Sequence, residues 1–182
     1  MTAKIVIAGG FGAGKTTFVG SISEIRPLRT EAQMTTAAQR KDVLAGDSTK
    51  RTTTVAMDFG RVTIDEGLVL FLFGTPGQDR FWFMWDDLVR GAVGGVVLAD
   101  TRRLQESFGA IDYFENCGLP YVVALNPFDG RRTHDVETVR AALGVGPAVP
   151  VLHADARERA DVRGVLAEVV RQALRQASTP AA

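Results

Sequence analysis

The chain predicts an α/β fold built on a mostly parallel sheet, with helices on both faces. Three observations carry that expectation. Short, continuous apolar runs recur at residues 5–8, 68–73, 94–99 and 121–125, each the length of a buried strand. Stretches able to form helices separate them, as strands joined by crossover helices require. A glycine-rich run, Gly9-Gly10-Phe11-Gly12-Ala13-Gly14-Lys15-Thr16-Thr17, falls between the first apolar run and the first helix-like segment. With 182 residues the chain can bury a full core, expected as one domain over residues 1–176 with a short flexible tail at 177–182.

The elements follow in order. Residues 4–8 read as the first strand and 15–24 as the first helix. Residues 26–49 show no sustained period and read as a long connection, with a short helix near 36–44. Residues 51–63 alternate weakly, like a strand. Asp65-Glu66-Gly67 signals a turn, and 68–73 is an apolar strand, so the two should form an antiparallel hairpin at the sheet edge. Residues 74–77 break the strand, and 80–89 is an aromatic helical stretch. A strand at 94–99, a helix at 102–116 and a strand at 121–125 come next. A helix at 133–143 starts near Thr133 or Asp135 as N-cap. The last strand is 149–152. The closing helix, 161–176, has an apolar face of Val162, Val165, Leu166, Val169, Val170 and Leu174. The sheet should therefore have six strands.

Composition excludes several classes. Lys plus Arg and Asp plus Glu number 21 each, so net charge points to neither nucleic acid nor an acidic surface. One cysteine, Cys117, rules out an internal disulfide framework and suits a reducing cytoplasm. No apolar run approaches the ~20 residues of a membrane span. The early first strand predicts no signal peptide, and Thr2 and the cysteine-free C-terminus predict no lipid anchor. Any membrane association is expected through partners. His134 and His153 stand apart and suggest no metal pair.

The glycine-rich run has the pattern Gly-x-x-x-x-Gly-Lys-Thr in a strand–loop–helix setting, the signature of a phosphate-binding P-loop. Glycines permit the tight turn that aims several N–H groups inward, and the following helix N-terminus adds partial positive charge. Phe11, Gly12, Ala13, Gly14, Lys15, Thr16 and Thr17 are the candidate phosphate contacts. Lys15 would reach the β- and γ-phosphates, and the Thr16 hydroxyl would ligate Mg²⁺. The loop alone does not choose between ATP and GTP.

Four further stretches stand where a small GTPase has its motifs, and here the chain resembles the Ras-like GTPase superfamily over nearly its whole length. The resemblance implies a P-loop NTPase of the small G-domain type, with GTP or GDP as ligand and Mg²⁺ as cofactor. Thr52-Thr53-Thr54-Val55-Ala56-Met57-Asp58-Phe59 looks like switch I, where a threonine binds Mg²⁺ and the γ-phosphate. Spacing to Asp58-Phe59 favours Thr54, with Thr53 and Thr52 behind it, although threonine is also simply a good strand residue. Phe73-Gly74-Thr75-Pro76-Gly77-Gln78 looks like the start of switch II. Gly77 would offer its N–H to the γ-phosphate and Gln78 would orient the attacking water; Gly74 stands where the family has an aspartate. A plain Gly-Pro turn is the other reading of this stretch. The Thr-Pro-Gly-Gln pattern resembles the bacterial gliding-motility (MglA-like) and actinobacterial conservon GTPases, which implies a roadblock/LC7-type regulatory partner and a sensor-kinase-like neighbour.

Leu125-Asn126-Pro127-Phe128-Asp129 looks like the guanine-reading motif Asn-Lys-x-Asp. The Asp129 carboxylate would accept from guanine and Asn126 would brace the loop, while Pro127 replaces the lysine that stacks on the base. Weaker nucleotide binding is expected in consequence. These residues also suit a polar turn. Asp155-Ala156-Arg157 loosely resembles the loop that touches the base through a backbone N–H, here that of Ala156. Phe81, Trp82, Phe83 and Trp85 cannot all face inward from one short helical segment, which makes them interface candidates. The expectation is a cytoplasmic GTP-binding switch with slow hydrolysis. Its catalytic residues would be Gln78, Lys15 and Gly77. A nucleotide-binding scaffold with little hydrolysis and a P-loop ATPase or nucleoside kinase are the other readings.

Overall fold

Strand β1, Thr2–Ala8, lies inside a seven-stranded sheet of order β2-β3-β4-β1-β5-β6-β7. The structure, a computed structural model, describes residues 1–26, 28–33, 54–65, 67–77, 79–128 and 134–178, with the backbone alone at 28–33, 54–56, 65 and 79–81. β1 pairs in parallel with β4, Leu68–Gly74, on one side and with β5, Gly94–Asp100, on the other. β6, Tyr121–Asn126, and β7, Val151–His153, extend the parallel part. β3, Thr54–Asp65, runs antiparallel to β4, and β2, Leu28–Gln33, antiparallel to β3.

The pleat sends alternate side chains of β1 to opposite faces. Ile5 and Ile7 join the cluster beneath α1, Lys15–Ile22, and α5, Arg159–Ser178. Val6 and Ala8 join the cluster under α2, Trp85–Val89, α3, Phe108–Asn116, and α4, Val136–Leu143. Both faces of β5 and β6 are thus covered, and every residue of these strands is buried. That is why they read as continuous apolar runs.

All six expected strands are present, and the antiparallel hairpin is β3–β4. A seventh strand is added. β2 lies within the stretch that reads as a connection, and it places β3 inside the sheet rather than at its edge. Such an edge strand is held by backbone hydrogen bonds, which polar residues make as readily as apolar ones, so hydropathy gives no period there. The short helix expected near 36–44 lies outside the described residues.

Two expected helices begin differently. Residues 79–84 form a 3₁₀ turn before α2, and 104–107 a 3₁₀ turn before α3. Arg102 and Arg103 are drawn out of the helical path by Asp100. α4 starts later than expected, with the Asp135 carboxylate accepting from the Thr138 N–H as N-cap; Thr133 lies outside the described residues. α5 continues through Ser178, two residues into the expected tail.

Candidate functional site

The site lies at the C-terminal ends of β1, β4, β5 and β6. The chain leaves β1 at Ala8 and turns through Gly9, Gly12 and Gly14, whose φ values of 146°, 73° and 101° lie in the region that favours glycine. A Cβ at Gly9 would meet the Leu98 carbonyl oxygen at 2.4 Å. Gly14 is the N-cap of α1 and supplies no side chain to bond the first-turn N–H groups, which suits an anion there. Ala13 is buried inside the turn and Phe11 is exposed at its tip, while Thr16 and Thr17 open onto solvent.

Lys15 curls over its own loop. Its ammonium donates to the carbonyls of Gly9 and Gly10, both at 2.8 Å. Burial lowers its pKa to about 8, against the opposing pull of the Asp58 and Glu106 carboxylates. Gly77 lies directly on this arrangement, since a Cβ there would meet Lys15 Nζ and Phe11 Cα at 2.9 Å each. No side chain larger than glycine's fits between the two loops without displacing one of them. Thr75 donates its N–H to the Ile7 carbonyl at 2.8 Å, and its hydroxyl is buried without a partner among the described residues.

The Thr16 hydroxyl donates to Asp58 Oδ2 at 2.6 Å, across 42 residues of sequence. A hydroxyl and a carboxylate oxygen are donors that a hard divalent cation takes, and Mg²⁺ needs few protein ligands when phosphates supply the rest. Thr16 and Asp58 therefore fit such an ion. Elsewhere among the described residues no group of three or more His, Cys, Asp or Glu gathers to hold one. Thr54 is described by its backbone alone, paired with Gln33, and Thr52, Thr53 and Gln78 lie outside the described residues.

Asn126, at the end of β6, ties three segments together. Its Nδ2 donates to the Ala13 carbonyl at 3.0 Å, and its Oδ1 accepts from the Ala156 N–H at 3.0 Å. The side chain is buried, and a Cβ on Gly14 would collide with its Nδ2 at 2.7 Å. The N–H expected to touch a base is thus committed to Asn126, so Ala156 is a brace, because a buried amide oxygen needs a donor. The following N–H, of Arg157, is held by Asp155 Oδ1 at 2.9 Å. Asp129 lies outside the described residues. Phe128, in the middle of the motif, carries the Arg102 guanidinium 3.9 Å over its ring.

Sequence reasoning passed over the segment after β5. Arg103 donates to the Phe11 carbonyl at 3.1 Å and pairs with Glu106 at 3.0 Å. Glu106 crowds Gly10, where a Cβ would lie 2.3 Å from Oε2. Asp58 was visible in the sequence only as a marker for counting to Thr54; an acidic residue inside a strand-like stretch is the signal it offered.

The aromatic stretch divides. Trp82 and Phe83 are exposed, whereas Trp85 is buried, a correction to its expected place at an interface. Trp85 stacks on Trp82 at 5.3 Å and meets Tyr113 edge-on at 5.1 Å. One turn of helix suffices to turn this ring inward under α3. The Trp82 ring lies over Gly109 of α3, where a Cβ would approach it within 2.4 Å. The side chain of Phe81 is not among those described.

Fold and loop together define a P-loop domain of the G-domain type. Residues 7–176 match the model of a family described as conserved hypothetical ATP binding proteins, and the chain belongs to that family. An uncharacterized protein of Methanocaldococcus jannaschii is 27% identical over 128 residues, covering 69% of this chain and 70% of that one. Among solved structures, the G domain of the T. maritima FeoB iron transporter superposes with a TM-score of 0.63 at 18% identity, covering 98% of this chain and 100% of that one. The cytosolic domain of the same transporter in a GDP form gives 0.67 at 16% identity, covering 95% of this chain, which spans 64% of that domain's length. At these identities the likeness speaks for the fold. Among the described residues no helix is long and apolar enough to cross a membrane.

Proposed function

We propose that the chain is a cytoplasmic GTP-binding switch with slow hydrolysis. The observation that supports this reading most is the Asn126 bridge. By tying the P-loop to the end of β6 through one buried amide, braced by the Ala156 N–H, it sets the phosphate loop at a fixed separation from the segment that leads on to Asp129. The sequence then puts Asp129 three residues on, where a carboxylate can accept from two guanine donors and would be left unpaired by adenine.

In this reading the backbone N–H groups of Gly12–Thr17 cradle the phosphates, and Lys15 leaves its own carbonyls for phosphate oxygens. Thr16 and Thr54 would hold Mg²⁺, which would supply positive charge against the phosphates. Gly77 offers its N–H to the last phosphate, and Gln78 orients water in line with it. Loss of that phosphate would release the segments containing Thr54 and Gly77. A roadblock/LC7-type protein acting on those segments, with exposed Trp82 and Phe83 as anchors, would accelerate turnover. A sensor-kinase-like protein fits the same pathway.

The family's description favours a second reading, in which ATP is the ligand. A competition titration against labelled GDP separates the two. GTP should displace the label at least about 100-fold better than ATP, and Asp129→Ala should abolish that preference. Equal competition by ATP, or a GTP preference that survives the substitution, overturns the guanine assignment.

A further inference from the structure

We infer that Asp58, from the neighbouring strand, does the work of the carboxylate missing at Gly74: it positions Thr16 and the waters of the nucleotide-bound Mg²⁺. The inference rests on the proposed nucleotide site and identifies what holds its metal. The strand bearing position 74 ends without an acidic side chain, although this strand end faces the phosphate loop. Two independent observations explain how the site can do without one. A Cβ built on Gly74 would lie 3.1 Å from Asp58 Cβ and 3.3 Å from Asp58 Oδ2, so the volume a side chain at 74 would enter is already filled by this carboxylate. The same Oδ2 accepts from the Thr16 hydroxyl at 2.6 Å, beside the P-loop lysine whose charge it favours.

The register makes the substitution possible. Phe59 of β3 and Phe73 of β4 are the last pair of their ladder, and Asp58 and Gly74 lie one residue beyond it in the same register. Side chains directly opposite share one face at the closest cross-strand approach. A carboxylate can therefore move from one strand to the other and arrive at the same place, provided the residue it replaces has no side chain. Asp58 and Gly74 fit such an exchange, since a Cβ at position 74 would press on the Asp58 side chain. Accepting from Thr16 leaves the hydroxyl lone pairs for a cation that meets the phosphates, and the other carboxylate oxygen, without a hydrogen-bond donor among the described residues, would take a metal-bound water.

The test uses the full chain loaded with methylanthraniloyl-GDP, with release timed against excess GDP over a series of free Mg²⁺ concentrations. In the wild type, Mg²⁺ should slow release. Asp58→Asn, which keeps the shape and an acceptor for Thr16, should raise the Mg²⁺ concentration for half-maximal slowing by about 10–100-fold while release in EDTA stays unchanged. Asp58→Gly combined with Gly74→Asp, which returns the carboxylate to the other strand, should bring that concentration back to within a few-fold of wild type. An unchanged Mg²⁺ midpoint in Asp58→Asn overturns the inference, as does faster release in EDTA with the midpoint intact, which would make Asp58 a strand anchor only. If Mg²⁺ has no effect on the wild type, the inference falls and the guanine switch stands; if no guanine nucleotide binds, both fall.

Discussion

The two halves of the sheet are built differently. In the parallel half, β5 and β6 are covered on both faces and every one of their residues is buried. In the antiparallel half, β4 alternates buried and half-buried positions, and β3 reaches solvent at Thr63. Packing permits little but apolar residues in the first, and its buried polar groups are all satisfied: Asn126 on both ends of its amide, Asp100 by the Arg102 N–H and guanidinium, and the Tyr121 hydroxyl by Glu115. The second leaves room for side chains that reach across, such as Asp58 to Thr16 and Thr63 to Glu24. In the proposed reading the parallel half would fix where a base and phosphates meet the chain, and the antiparallel half would carry the groups that answer to what is bound.

Substitutions can break that contrast, beginning with the most severe. Phe114→Ala empties a fully buried ring that packs against Trp85 and Tyr121, and should lower unfolding stability by about 3–5 kcal/mol in urea titration. Asn126→Ala strands the Ala13 carbonyl and the Ala156 N–H, at a cost of about 2–4 kcal/mol by the same measurement, and should weaken nucleotide binding with it.

Lys15 sharpens the comparison through pH. Its folded pKa of about 8 lies below the unfolded value of 10.5, so above pH 8 the unfolded chain holds a proton the folded chain has released. Stability should therefore rise with pH from 8 toward the tyrosine range, and Lys15→Met should remove that rise in urea midpoints taken at successive pH values. The smallest effect is expected at Glu24, whose carboxyl the Thr63 N–H and hydroxyl hold below the ordinary range. A group depressed in this way stabilises the fold above its unfolded pKa of 4.5 and loses that contribution as pH falls. Glu24→Gln should make the acid limb of the stability profile shallower, by less than either substitution in the parallel half.

Which features the sequence discloses follows from the same contrast. β1, β5 and β6 are legible because double coverage demands unbroken apolar runs, and the P-loop because its turn admits few alternatives to glycine. β2 is hidden because backbone pairing leaves no mark on composition. The 3₁₀ turns at 79–84 and 104–107 are hidden because helices of i+3 and i+4 bonding share nearly the same spacing of apolar residues. Trp85 looks like its exposed neighbours until α3 is placed over it. Asp58 is legible as an acid and illegible as a neighbour of Thr16, since a partner 42 residues away is fixed by strand register and by nothing local.

Trp82 and Trp85 are the only two tryptophans in the chain. They stack on one another just past Gly77, one ring open to solvent and the other sealed beneath α3. All of the protein's indole emission therefore originates beside Gly77, in one of the two segments whose position would depend on the last phosphate in the proposed switch. A shift of that segment would separate the stacked pair and alter its colour and brightness, so the molecule carries its own unlabelled gauge of whether this stretch is seated or lifted.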